Sequence, residues 1–269
     1  MILFNTHTHT QYSSDGHNTV AEFLQQARQL GVSYIAFTDH FDPFEEIDYS
    51  DKINHHFGAM VKDMQEYQTI AKKDNIHIEI GIEIGWDTVG EQSAIDLLQK
   101  HDISYVINSL HYINAESCYY PSFFDDKTKQ VGYELYLQNL YKTLDAHYRY
   151  DTIGHISYCA RNAPFSDPIM HYNDHKTILD KIIDKIIDQQ KIIELNTSVR
   201  TAQSGVLPND EILRQYKKRG GELITFASDS HWKEHLIEGF DTAKTIAQNC
   251  GFSYYTIKKN GKFQQIKIE

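Results

Sequence analysis

The sequence predicts an α/β fold in which parallel strands alternate with helices. Seven apolar, strand-like segments alternate with helical segments along most of the 269 residues, and this order is typical of parallel strands joined by helical crossovers. Six of the seven strands carry a histidine or an acidic residue at or just after their C-terminal end. In a β/α barrel the loops at that end build the active site. The length suits one such barrel, and we expect a single domain over residues 1–269.

The elements follow from short apolar runs and from helical periodicity. The predicted strands cover residues 2–4, 33–38, 76–84, 104–110, 152–154, 191–195 and 222–227. The predicted helices cover residues 19–31, 56–73, 92–101, 133–146, 174–190, 210–219 and 241–250. A C-terminal β-hairpin follows, with strands at 252–257 and 263–268 around the turn Asn260-Gly261.

Two local patterns define individual elements more closely. Thr19 and Glu22 form a capping box, in which a hydroxyl and a carboxylate accept hydrogen bonds from free N–H groups at the start of the first helix. Between residues 76 and 84, isoleucine alternates with other residue types. Such strict alternation predicts a strand, and it places Glu83 near the strand's end on the face opposite the isoleucines.

Composition and charge exclude several classes of protein. The hydrophobic fraction of 41% and the charged fraction of 23% are those of a folded globular chain, and no apolar run approaches a membrane span. Three cysteines without CxxC spacing predict neither a disulfide framework nor a thiolate zinc site. The net charge of −11 argues against a nucleic-acid surface. The N-terminus has no signal-peptide pattern, so we expect a cytoplasmic protein.

Imidazole and carboxylate groups collect at the predicted strand ends. His7 and His9 lie two residues apart on the first strand, so both side chains point to one face. Asp229 and His231 repeat that spacing after the last barrel strand. Each group alone has an ordinary explanation as a turn, capping or solvated residue. Together on one rim they would be costly to bury unless cations neutralised the acids.

The order of these motifs resembles the PHP (polymerase and histidinol phosphatase) superfamily. The motifs are HTHTxxSSDG from residue 7, TDH at 38–40, GIE at 81–83, SLH at 109–111, GH at 154–155 and SDSH at 228–231. The resemblance implies a distorted (β/α)7 TIM-like barrel. Within that superfamily, the length and the absence of other domains are most similar to the stand-alone histidinol-phosphate phosphatases.

The resemblance also implies three divalent metal ions held by nine residues. The implied ligands are His7, His9, Glu83 and Asp229 for the first ion, Glu83, His111 and His155 for the second, and Asp15, His40 and His231 for the third. Imidazole with carboxylate and no thiolate suits zinc, iron or manganese, alone or as a mixture.

A centre of this kind predicts hydrolysis of a phosphate ester. Two nearby metal ions can share a water, lower its pKa and neutralise phosphoryl oxygens. Together with the resemblance, which implies L-histidinol phosphate as the substrate and a step of histidine biosynthesis, this chemistry leads us to expect a metal-dependent phosphomonoesterase. We expect attack by a metal-bridging hydroxide, with Asp229 accepting its proton. Arg161 and Arg200 follow strand ends, and we expect them to hold the phosphoryl oxygens. A surface ion pair is the alternative for either arginine.

Two loops are candidate walls for the organic part of the substrate. Their acidic side chains are Asp42, Glu45, Glu46 and Asp48, and their aromatic side chains are Tyr119, Tyr120, Phe123 and Phe124. Ordinary loop composition is the alternative explanation for each of them.

Other functions stay open on the sequence alone. The same metal site suits a nucleotidase or 3'-5' exonuclease, or a phosphotyrosine-protein phosphatase. A non-catalytic metal-binding module is an alternative of another class, although all nine expected positions carry competent ligands. We expect a small phosphomonoester as partner, with neither nucleic acid nor membrane, and the sequence carries no signal of oligomeric state.

Overall fold

The architecture is a parallel sheet nearly closed into a barrel and covered by helices. The computed structural model describes residues 3–43, 50–198 and 204–269. The barrel strands are β1 Leu3–Asn5, β2 Val32–Phe37, β3 His77–Gly85, β4 Tyr105–Ser109, β5 Thr152–Ile153, β6 Ile192–Asn196 and β7 Ile224–Ala227. Neighbouring strands in the sheet follow chain order, and every pair is parallel. The predicted (β/α)7 arrangement is therefore confirmed.

The two edges of the sheet meet beside the first histidine motif. Thr8 forms a parallel bridge with Ser230, and the His9 amide donates to the Ser230 carbonyl at 2.9 Å. The Asn5 side-chain amide donates to the Ser228 hydroxyl at 2.7 Å. These bonds place the first and last strands of the barrel side by side.

Helices surround the sheet. They are α1 Val20–Leu30, α2 Ser50–Ala71, α3 Glu91–Lys100, α4 Lys129–Thr143, α5 Lys176–Asp188, α6 Asp210–Lys218 and α7 Phe240–Asn249. The capping box of α1 is present, since the Glu22 amide donates to the Thr19 hydroxyl and the Thr19 amide to the Glu22 carboxylate. Helix α4 begins four residues earlier than predicted, because the Thr128 hydroxyl caps it by accepting the Val131 amide at 3.3 Å.

The apolar core lies between the strands and the helices. Strand β3 contributes a row of buried isoleucines, and the buried carboxylates Glu79 and Glu83 alternate with them on the opposite face. Helix α5 buries Leu179, Ile182 and Ile186, which recur at helical spacing on one side. Glu83 lies near the carboxyl end of β3, and Glu79 lies four residues before it.

Three smaller features complete the fold. The strands β8 Tyr254–Lys259 and β9 Lys262–Lys267 form the expected antiparallel hairpin. The ring of Tyr255 in this hairpin stacks on Phe4 with centroids 3.8 Å apart. Two short pairings lie near the barrel rim, one between His40–Phe41 and β3 and one between Tyr112–Ile113 and Glu116–Ser117.

Within residues 3–43, 50–198 and 204–269, no helix has both the length and the apolar character to cross a bilayer.

Candidate metal centre

All nine predicted metal ligands lie among the described residues, and they gather at the carboxyl ends of the barrel strands. The register explains two of them, because His40 pairs directly with Glu83 in the parallel sheet. Asp229 follows β7 with a φ of 50°. This left-handed conformation is uncommon for residues other than glycine, although aspartate tolerates it better than most.

The first cluster comprises His7, His9, Glu83 and Asp229, all of them buried. The Nε2 atoms of His7 and His9 lie 2.9 Å apart. Asp229 Oδ1 lies 3.7 Å from the first of these nitrogens and 3.2 Å from the second. Glu83 Oε2 lies 3.2 Å and 3.5 Å from the same two atoms. The four donor groups that the resemblance implies for the first ion therefore lie close together.

The second cluster uses the other oxygen of Glu83. Its Oε1 lies 2.9 Å from His155 Nε2 and 3.2 Å from His111 Nε2, and those two nitrogens are 3.3 Å apart. The Ser109 hydroxyl donates to the same oxygen at 2.7 Å. One carboxylate thus faces both clusters, with one oxygen toward each.

The third cluster is at the rim. His40 Nε2 lies 3.4 Å from His231 Nε2, and His231 Nε2 lies 3.1 Å from Asp15 Oδ2. The Asp15 side chain is 58% exposed. His40 also faces inward, since its Nδ1 lies 2.9 Å from Glu83 Oε2. The nearest donor atoms therefore also group His9 with His40 and His231, and His40 with Glu83 and His111.

The imidazole nitrogens around Glu83 are arranged in a way that fits a divalent cation. Glu83 Oε2 is buried and accepts no aligned hydrogen bond from the described residues, although three imidazole nitrogens lie within 3.5 Å. Buried polar atoms normally have a partner, and a cation shared with the imidazoles would supply one. Imidazole and carboxylate donors without thiolate are the set expected for zinc, iron or manganese.

Neighbouring cationic groups favour the anionic form of the carboxylates at this centre. Burial alone would raise the pKa of Glu83, but His7, His111 and His40 bring that pKa well below its usual range. Burial would likewise raise the pKa of Asp229, and His7 and Arg161 bring it well below its usual range. Burial would lower the pKa of His40, yet Glu83 and then Asp42 outweigh it and raise the pKa to about 9. The centre therefore presents negative oxygens to an incoming cation.

Arg161 contacts a proposed ligand. Its Nη2 donates to Asp229 Oδ2 at 2.8 Å and to Asn196 Oδ1 at 3.2 Å, and its guanidinium lies 4.9 Å from the centre of the Tyr158 ring. The predicted phosphate contact of Arg161 stays a prediction. Arg200 lies outside the described residues.

Two of the four aromatic residues considered as substrate walls are exposed, and two are buried. Phe123 and Phe124 are candidate wall residues that the structure excludes, because both side chains are buried in the core. Tyr119 and Tyr120 are exposed. The Tyr119 ring lies 6.0 Å from the ring of Tyr158, which borders the second cluster.

The acidic members of the proposed walls are largely untested. Glu45, Glu46 and Asp48 lie outside the described residues. Asp42 is buried, and its Oδ1 lies 2.9 Å from His111 Nδ1.

Sequence reasoning missed the buried carboxylates Glu194 and Asp39 behind the ligands, and it assigned the buried Asp42 to a substrate wall instead. Glu194 on β6 lies 2.7 Å from His7 Nδ1, and Asp42 contacts His111. Asp39 accepts hydrogen bonds from the Thr10 amide at 2.6 Å and from the Ser13 hydroxyl at 2.7 Å, which fixes the loop that carries Asp15. Glu194 carries the same signal that singled out Glu83, an acid inside an otherwise apolar strand.

A parallel barrel with clustered imidazole and carboxylate groups at the carboxyl ends of its strands defines the class of metal-dependent β/α-barrel enzymes. The sequence model of the PHP domain matches residues 5–198, well over half of the chain. The chain belongs to the PHP domain family.

Relatives named histidinol-phosphatases match nearly the whole chain. A probable histidinol-phosphatase of Clostridium acetobutylicum is 28% identical over 251 residues, covering 93% of this chain and 94% of the relative. The histidinol-phosphatase of Lactococcus lactis is 26% identical, covering 94% and 93%. The crystal structure of the Lactococcus lactis histidinol phosphate phosphatase, complexed with zinc, L-histidinol and phosphate, has a TM-score of 0.80 at 24% identity, covering 97% and 98%. This likeness supports the barrel fold.

Proposed function

We propose that this chain is a metal-dependent phosphomonoesterase that hydrolyses L-histidinol phosphate to L-histidinol and phosphate. The observation that carries the proposal is the shared carboxylate of Glu83, which faces two imidazole clusters with its two oxygens. Full-length similarity to proteins named histidinol-phosphatases supports the choice of substrate. We also propose one PHP-type domain over residues 1–269.

The proposed metal ligands are those of the three clusters. They are His7, His9, Glu83 and Asp229 for one ion, Glu83, His111 and His155 for another, and Asp15, His40 and His231 for a third. When bound, the ions would activate a water molecule and neutralise the charge of the phosphoryl oxygens. The proposed metals are zinc, iron or manganese, and zinc is present in the solved relative.

The side chain of Asp229 is oriented for a role as proton acceptor. Its Oδ2 is occupied by Arg161 at 2.8 Å and by the Asn196 amide at 3.2 Å. Its Oδ1 faces His7 and His9. Oδ1 is therefore the oxygen proposed both to bind the first ion and, once released from that ion, to accept the proton. The guanidinium of Arg161 places a permanent positive charge beside the same carboxylate, where it would attract a phosphoryl oxygen; the same role is proposed for Arg200.

The proposal is tested by comparing substrates on the metal-loaded protein. Phosphate release is measured for L-histidinol phosphate, a mononucleotide, single-stranded DNA and a phosphotyrosyl peptide. We expect the highest kcat/KM for L-histidinol phosphate. A higher value for a nucleotide or for the peptide would overturn the substrate assignment. Absence of turnover with every phosphoester, despite bound metal, would favour the non-catalytic metal-binding module.

A further inference from the structure

We infer that Glu194 and Asp42 are positioning residues of the metal centre, each of which orients one proposed ligand histidine without binding an ion itself. The inference rests on the ligands assigned under the proposed function and is independent of which phosphoester the enzyme cleaves. Two contacts on opposite sides of the centre carry it, one to His7 and the other to His111.

The first contact is inside the barrel. Glu194 is fully buried, and its Oε2 lies 2.7 Å from His7 Nδ1. Its other oxygen accepts the Asn196 side-chain amide at 2.6 Å and the backbone amide of His155 at 3.3 Å. The carboxylate is therefore fixed on both sides, and it connects the first cluster with the segment that carries a ligand of the second.

The second contact is near the rim. Asp42 Oδ1 lies 2.9 Å from His111 Nδ1. Gly85 at the end of β3 makes room for this pair, because a Cβ atom there would lie 1.8 Å from Asp42 Oδ1 and 3.0 Å from His111 Nδ1. A larger residue at position 85 would displace Asp42 from the imidazole.

Both contacts have the same consequence for the imidazole. An ionised carboxylate oxygen only accepts hydrogen bonds, so the Nδ1 atom facing it carries the hydrogen. The lone pair of the neutral ring is then on Nε2, which in His7 faces Glu83 and Asp229 and in His111 faces Glu83 and His155. Mutation of a carboxylate that contacts a ligand histidine typically lowers metal affinity or activity by about 10–100-fold.

The same strand that carries Glu83 offers a matched control. Glu79 is a buried carboxylate on β3, and its Oε2 lies 2.8 Å from His77 Nε2. It stands four residues before Glu83, toward the opposite end of the barrel, and contacts none of the nine proposed ligands among its described bonds. A Glu79→Gln variant therefore tests the loss of a buried glutamate–histidine pair away from the centre.

The experiment measures Zn²⁺ affinity without substrate. Wild type, Glu194→Gln, Asp42→Asn and Glu79→Gln are stripped with a chelator, and Zn²⁺ is titrated against a chromophoric competitor. We expect about tenfold or greater weakening for Glu194→Gln and for Asp42→Asn, and a change below about twofold for Glu79→Gln. The kcat of Glu194→Gln and of Asp42→Asn, relative to wild type, should be higher at saturating Zn²⁺ than at limiting Zn²⁺. A folding defect would not produce this dependence on Zn²⁺ concentration.

Three results would overturn the inference. They are unchanged Zn²⁺ affinity in both test variants, an equal loss in Glu79→Gln, and failure of the stripped wild type to rebind Zn²⁺. If one test variant does not fold, as judged by circular dichroism, the other decides the outcome. If the wild type binds Zn²⁺ tightly but does not hydrolyse L-histidinol phosphate, the proposed substrate is overturned and the positioning roles are unaffected.

Discussion

Replacement of Glu83 by glutamine removes the one negative charge that two imidazole clusters share. The change keeps the size of the side chain. In the wild type the Ser109 hydroxyl donates to Glu83 Oε1 at 2.7 Å, and the glutamine amide oxygen can accept the same hydrogen bond. The variant therefore loses charge at the centre without leaving a cavity in the barrel.

The size of the effect follows from the distances. Each oxygen of Glu83 lies within 3.5 Å of at least two imidazole nitrogens. Two unit charges about 4 Å apart at an effective dielectric constant of about 20 interact by about 4 kcal/mol. A loss of this order for the ion corresponds to about 10³-fold in affinity.

The assay combines elemental analysis after dialysis with phosphate release. We expect Glu83→Gln to lose the ions of the first two clusters, to keep at most the ion held by Asp15, His40 and His231, and to turn over substrate at below about 1% of the wild-type rate. Glu79→Gln is the control on the same strand. Near-normal metal content with near-normal turnover in Glu83→Gln would refute the ligand assignment.

Four further outcomes are expected. Chelation should abolish turnover and lower the Tm, because the buried carboxylates lose their cations, and added Zn²⁺ or Mn²⁺ should restore both. Full activity in protein that elemental analysis shows to be free of metal would contradict this. Arg161→Lys should lower kcat about 10²-fold in initial-rate measurements while metal content is kept. Leu179→Ala should destabilise the fold by about 2–5 kcal/mol in urea titrations, because the side chain is fully buried in α5. The hydrogen bonds from the Thr19 amide and hydroxyl lower the pKa of Glu22 from 4.5 to about 2. The ionised Glu22 carboxylate therefore stabilises the fold fully above pH 4.5, and this stabilisation is lost as the pH falls toward 2. The Tm difference between wild type and Glu22→Gln should shrink over that range.

The barrel was accessible from the sequence because short apolar segments alternate with helical segments along the chain. The isoleucines of β3 alternate with Glu79 and Glu83, and this period of two determines which face the acids occupy. The placement of His7 beside Asp229 was inferred from family resemblance, and its structural cause is the closure of the sheet edges through Thr8 and Ser230.

The remaining features depend on contacts that no local pattern encodes. The pairing of Asp42 with His111 requires the open space at Gly85. The burial of Phe123 and Phe124 results from packing against α4, where the Phe124 and Tyr133 rings lie 5.6 Å apart. Aromatic residues in a loop are equally compatible with a pocket wall and with a core, so tertiary packing decides between them.

The junction of β1 with β7 determines when the centre comes into existence during synthesis. Asn5 and Ser228, which bond across that junction, are 223 positions apart in the chain. A nascent polypeptide that ends before residue 224 already contains His7 and His9, yet it lacks Asp229 and His231. The complete set of proposed ligands is therefore assembled only after the final strand of the barrel has docked, and tight metal binding would mark the closure of the barrel.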